Sequence, residues 1–288
     1  MDEHRRIAFE TFVERKTQAA LSASIQSLTT VFERSADTAV RGVGNSWTRL
    51  HYGGDFCLTV VPFNRTSLSL VFVQSQDHNT EADDPGEFGA GATDTHLIYE
   101  GLSRVAADAV LVGARTVHPE AFFSVWHPEL VALRESLGLS RHPAQVVVSK
   151  RGHVDLASLL FNVPEVPVFL LGGEQCLRRH AAALRARPWI RPVPLNGDNL
   201  TSSIEQLRLE CGIARISAIG GRSTATRLVD DGLAQDLYLT TGPRSGGRID
   251  TAWYVGAAPP PLTVQTTKEW SDAGSRVVFE HILIRQEG

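Results

Sequence analysis

Short runs of aliphatic and β-branched residues alternate along this chain with stretches of helical periodicity, the pattern of a sheet covered by helices. The apolar runs predict strands over 67–73, 109–112, 145–149, 166–171, 215–219 and 237–241. Helices are predicted over 95–106, 127–137, 174–187, 203–211 and 223–231, with Gly138, Gly212 and Gly232 as C-terminal stops. After a proline-rich stretch at 257–261, the segments 262–267 and 276–284 read as two antiparallel strands closing the sheet. The fold class expected from this alternation is α/β.

Residues up to about 50 read as helical and amphipathic, because Leu21, Ile25, Leu28 and Phe32 fall on one helical face. That face needs a partner, either the main domain or a second subunit. Glycines with Asn45 and Ser46 mark a loop over 41–54, so the expected division is a helical N-terminal extension, 1–54, and a main domain, 55–288.

Composition excludes several function classes. A formal net charge of −4 offers no basic excess for a nucleic-acid backbone or an anionic membrane, so neither is an expected partner. The arginines at 178–179, 185 and 187 read as a solvated helix face. Cys57, Cys176 and Cys211 are far apart and lack metal-ligand spacing, so neither a disulfide framework nor a metal site is expected. No apolar run approaches the length of a bilayer span, and the polar start differs from a secretory leader. A cytoplasmic location is expected.

The candidate chemistry lies at the strand ends, where ligands gather in an open α/β sheet. The run 215–219 leads to Gly220 and Gly221 and then to a helix opening with Ser223 and Thr224. Free backbone N–H groups at a helix start, with glycines beside them, let an anion approach closely. The same pair is also what a tight strand-to-helix turn needs, and the other strand ends must decide. Run 109–112 leads to Gly113, Arg115 and Thr116, run 146–148 to Ser149, Lys150 and Arg151, and run 168–171 to Gly172 and Gly173. Together they predict one cleft holding an extended phosphorylated ligand such as a dinucleotide, with Arg115, Lys150 and Arg151 placed to neutralise a 2′-phosphate and favour NADPH over NADH. Neither a Rossmann fingerprint nor a Walker A sequence is present.

The blocks Leu68 to Asp77, Asp108 to Val117, Ile219-Gly220-Gly221 and Leu233 to Leu239, followed by Pro243 and Gly246-Gly247, resemble the reductase domain of bifunctional riboflavin-biosynthesis proteins. The resemblance spans 67–284. It implies the dihydrofolate-reductase-like fold, a three-layer α/β/α domain around a mixed, mostly parallel sheet that binds NADPH, and a homodimer. It places Gly113, Thr116, Ser149, Gly220, Gly221, Ser223 and Thr224 on the cofactor, with Glu120 where the family has an aspartate. Ser75 and Asp77 match a Ser-x-Asp-Gly loop facing nicotinamide and substrate. Asp77 is the candidate catalytic acid or base; its alternative role is to cap the loop.

The chain departs from that pattern at three places. His78 replaces the glycine after the aspartate. Ile219 stands where an acidic residue contacts substrate, and an apolar side chain cannot make that hydrogen bond. The stretch 121–126 lacks the family's phosphate-binding arginine and carries Phe122, Phe123 and Trp126, which suit a flatter, less charged molecule or simply the core. The deaminase zinc signature is absent. The leading expectation is an NADPH-dependent pyrimidine reductase acting on a small molecule. The alternatives are a paralogue reducing another carbonyl, imine or pterin, and a non-catalytic NADPH-binding protein.

Overall fold

A computed structural model describes residues 3–34, 40–82, 85–150, 152–195, 197, 199–272 and 275–285. Among them the central element is a ten-stranded sheet. Its strands, with β2 (Val40–Val43) and β3 (Phe56–Thr59) forming a separate pair, are β1 (Thr29–Glu33), β4 (Ser67–Gln74), β5 (Ala109–Gly113), β6 (Ala144–Ser149), β7 (Val168–Gly172), β8 (Ile190–Pro194), β9 (Arg215–Ile219), β10 (Asp236–Thr241), β11 (Leu262–Asp272) and β12 (Ser275–Ile284). The spatial order is β1-β11-β12-β10-β4-β9-β5-β6-β7-β8. From β10 to β8 all neighbours are parallel, while β12, β11 and β1 attach antiparallel at the other side. The mixed, mostly parallel sheet expected above is therefore present.

The central strands read as continuous apolar runs because both of their faces are buried. Val110, Val112 and Ile219 pack on one face with the π-helical segment Asp94–Leu102 and helices α1 (Glu3–Leu21), α4 (Pro128–Ser136) and α5 (Glu174–Arg185). Leu111, Ala218 and Leu239 pack on the other with α6 (Thr201–Cys211), α7 (Arg222–Asp230) and Trp253. Two helical layers enclosing one sheet give three layers.

The predicted helix over 95–106 takes a different form. A short turn, α3 (Gly91–Thr93), runs into the π-helical segment, which ends with Ser103 N–H donating to the Ile98 carbonyl at 2.9 Å. The turn that follows is held by Arg134 of α4, whose Nη1 donates to the carbonyls of Arg104, Val105 and Ala107 while its Nε donates to Ser140. Burial lowers the Arg134 guanidinium to about 10, leaving it charged at neutral pH.

The lead-in is helical only in part. The helix α1 stops at Leu21, and Phe32 lies in β1, which pairs with β11 at the edge of the main sheet. Strand β2 (Val40–Val43) pairs with β3 (Phe56–Thr59), with α2 (Ser46–His51) between them, capped by Asn45. The spacing of Leu21, Ile25, Leu28 and Phe32 therefore joined the end of a helix to a strand. Strand β8 escaped the pattern because its two prolines suit only an edge, where no further strand needs their missing N–H groups.

Candidate functional site

All the parallel strands end on the same rim of the sheet, which brings distant glycines and hydroxyls together. Gly113, at the end of β5, faces Thr224 of α7 so closely that a Cβ there would lie 2.9 Å from the threonine Oγ1. Gly220 and Gly221 follow β9 with φ of +67° and +79°, conformations that side chains rarely adopt. A Cβ on Gly220 would stand 3.5 Å from Thr116. Arg115 Nη2 reaches the Ser223 hydroxyl at 3.4 Å. Helix α7 begins after Gly221 without a side-chain cap, and although Thr224 N–H donates to the Gly221 carbonyl, the N–H groups of Arg222 and Ser223 are left for an outside acceptor. Gly113, Arg115, Thr116, Gly220, Gly221, Ser223 and Thr224 thus form one cluster.

The next two strand tips adjoin each other, since Ser149 of β6 pairs with Gly172 of β7. Ser149 is buried and its Oγ accepts from Gly152 N–H at 3.2 Å, tying the turn. A Cβ on Gly172 would press within 2.9 Å of Leu177, so this glycine lets α5 lie close against the strand. Lys150 is exposed beside them, and Arg151 lies outside the described residues.

After β4 the loop folds on itself. Ser75 is buried, and its Oγ accepts from Asn79 N–H. Asp77 accepts from the Ser245 hydroxyl at 3.1 Å and from Gly246 N–H at 3.0 Å, the geometry of a cap joining loops 75–79 and 243–247. His78 has φ of +65°, a conformation glycine adopts more readily, and its Nδ1 lies 3.2 Å from Gln74 Nε2.

Ile219 is buried on the sheet face that carries the π-helical segment, among Val71, Val112 and Tyr238. A carboxyl group that the sequence reading missed stands on that face. Asp94 accepts a hydrogen bond from Thr240 near the end of β10, and burial raises its carboxyl to about 6, partly offset by that bond. No local signal marks Asp94, because Thr240 lies 146 residues away in the chain.

Two cavities flank α1 on this side and share Phe12 and Glu120. The larger, about 580 Å³, is bordered by Arg15, Leu159, Asn162 and Arg187. The smaller, about 330 Å³, is walled by Tyr99, Phe122, Phe123 and Trp126 and contains Arg104. Glu120 is exposed and pairs with Arg15 at 2.9 Å, which holds its carboxyl below the usual range. It borders these cavities, whereas the glycine cluster lines neither of them.

Arg104 is a second residue the sequence reading missed. It is 1% exposed; its Nη1 donates to Ser124 O at 2.6 Å, while Nε and Nη2 have no hydrogen-bond partner. Tyr99 meets the guanidinium face-on, 4.2 Å from its ring centre. No carboxylate pairs with Arg104 among the described residues, although Glu100 lies one turn away, accepting from Trp126 N–H and lying 3.2 Å from His96. A guanidinium's Nε and Nη2 edge matches the two oxygens of a carboxylate or phosphate.

A sheet covered on both faces, with a polar rim at the ends of its parallel strands, defines an α/β protein of the ligand-binding type. Within that class, the chain belongs to the RibD C-terminal domain family, whose model matches residues 75–279. The resemblance drawn from the sequence blocks is borne out by this membership. The fold is similar to that of a pyrimidine reductase-like protein from Corynebacterium diphtheriae, with a TM-score of 0.61 and 17% identity over 78% of this chain and 94% of that one. It is also similar to Acinetobacter baumannii RibD, with a TM-score of 0.56 and 16% identity over 78% of this chain. The match spans 59% of the Acinetobacter chain. No curated protein matches the sequence. Among the described residues no helix is long and apolar enough to cross a membrane.

Proposed function

We propose that the chain is an NADPH-dependent reductase of the riboflavin-biosynthesis type, converting a ribosylamino-pyrimidine to its ribityl form. The observation that carries this reading, beside family membership, is the convergence of Gly113, Thr116, Gly220, Gly221 and Thr224 at the uncapped start of α7. This cradle fits a dinucleotide: the glycines keep side chains away from the backbone, and the helix start favours a diphosphate. Thr116, Ser223 and Thr224 would hold the cofactor's phosphates, with Arg115 and Lys150 toward a 2′-phosphate and Ser149 and Gly172 at the adjoining tips. A bound nicotinamide supplies the hydride.

The chain's own residues would manage the rest. Asp94 has the raised carboxyl suited to giving a proton to the sugar ring oxygen as hydride reaches the first sugar carbon, so that the ring opens with a new hydroxyl. Ser75, Asp77 and His78 would shape the substrate loop, with Asp77 positioning it through Ser245 and Gly246. Ile219, almost wholly buried, would back the site from the core as an apolar wall rather than touch the ring. Arg104 stands ten residues along from Asp94, at most about 15 Å of helical rise, within the span of a pyrimidine nucleotide. Its unpaired edge supports a place for the substrate's anionic end. In this reading the reductase chemistry belongs to 55–288, in a cytoplasmic homodimer. The exposed edge strand β1, with Val31 and Phe32 open, would seat the second copy.

The apolar Ile219 also favours a second reading, a paralogue that reduces a different planar substrate. Following NADPH oxidation with the ribosylamino-pyrimidine phosphate, and with pterin and carbonyl substrates in parallel, tests both. Turnover on the pyrimidine alone supports the first reading, turnover on another substrate the second, and cofactor binding without turnover contradicts both.

A further inference from the structure

Helix α1 lies outside the segment 75–279 that defines the family, yet Phe12, Lys16, Ala19 and Ala20 form one side of the 330 Å³ cavity holding Arg104. Phe12 is buried edge-on to Trp126, with ring centres 5.6 Å apart, and to Phe122 at 6.4 Å. Lys16 Nζ lies 5.7 Å from the Phe12 ring centre, and its charge acts together with Arg15 on the Glu120 carboxyl without a close ion pair of its own among the described residues. The anionic groups in the lining are already engaged: Glu120 by Arg15, Glu100 by the Trp126 N–H. Arg104 at the base and Lys16 at the mouth therefore stand as cations facing one aromatic chamber.

From this arrangement we infer that α1 is a working wall of the site, and that Lys16 and Phe12 set specificity for a ligand joining a planar ring to a carboxylate or phosphate. The ring would lie among Phe12, Phe122 and Trp126, with its anion on the free edge of Arg104 and under Lys16. A wall built from outside the family segment ties substrate choice to a part of the chain that the reaction itself does not require. This inference rests on the reading of the Arg104 cavity as the place of the substrate's anionic end, but it can be tested without turnover.

The test is calorimetric titration of the full chain with phenyl phosphate, benzoate and neutral benzamide. At least one anion is expected to bind about tenfold more tightly than benzamide, and phenyl phosphate against benzoate tells which anion is preferred. Lys16→Gln is expected to weaken the anion about tenfold and leave benzamide and NADPH unchanged. Ala19→Trp, which fills the chamber from the helix side, is expected to abolish probe binding in a chain that still binds NADPH. Anion binding without pyrimidine turnover would retain this inference while overturning the proposed reaction. Failure of all probes to bind, or anion affinity unchanged in both variants, would overturn the inference.

Discussion

Thr240 donates its hydroxyl to the carboxylate of Asp94, joining the π-helical segment to the end of β10 across 146 residues of chain. The bond fixes the only carboxyl among the described residues that burial raises to about 6, on the same sheet face as Ile219 and Arg104. An acid in that range is half protonated where most carboxylates are fully ionised, which suits it to give a proton.

Turnover should therefore fall as pH rises through about 6, the raised value of Asp94. Asp94→Asn should lower kcat by about 10²–10⁴-fold with little change in NADPH affinity. Stability should move the same way with pH. Between the ordinary 3.8 and about 6 the folded chain holds a proton that the unfolded chain has lost, so folding weakens as pH rises through that window. Asp94→Asn should accordingly be more heat-stable than the parent at pH 8, with the advantage shrinking toward pH 4. A pH-rate profile together with paired melting curves checks both; a pH-independent difference in melting would contradict the assignment.

Gly221→Val forces a branched side chain into φ of +79°, and Gly113→Ala places a methyl 2.9 Å from Thr224 Oγ1. Each should weaken NADPH binding at least about tenfold, since both alter the same cradle. Titration monitored by nucleotide fluorescence would show it, with circular dichroism confirming that the fold persists. Normal affinity in both variants would move the cofactor elsewhere.

Asp77→Asn separates loop capping from proton transfer. Because Asp77 accepts from Ser245 and Gly246, its replacement should loosen loops 75–79 and 243–247, with faster amide exchange there and a rise in KM. A fall in kcat alone, with exchange unchanged, would return the proton to Asp77.

Arg134→Met leaves the carbonyls of Ala107 and Ser140 without their donors inside the protein. The expected cost is about 2–4 kcal/mol, measured by urea unfolding. A loss below about 0.5 kcal/mol would show that the turn before β5 holds itself.

The parallel core was legible because two-sided burial writes uninterrupted apolar runs, such as Val146-Val147-Val148, and glycines punctuate their ends. The glycine cluster was legible for the same reason, since each member closes a strand. Strand β1 was not: Phe32 continued a helical spacing, and only pairing with β11 makes it a strand. Asp94 and Arg104 were hidden differently. Their importance lies in Thr240 and in two guanidinium nitrogens left unpaired, relations that no local spacing encodes.

The central claim is that strand tips separated by a hundred residues hold one nicotinamide dinucleotide. A crystal structure of the chain soaked with NADPH tests it most directly. The diphosphate is expected at the start of α7 against Gly220 and Gly221, with the nicotinamide directed toward the face of Asp94 and Ile219. A cofactor bound on another surface, or a rim left empty at saturating NADPH, would contradict it.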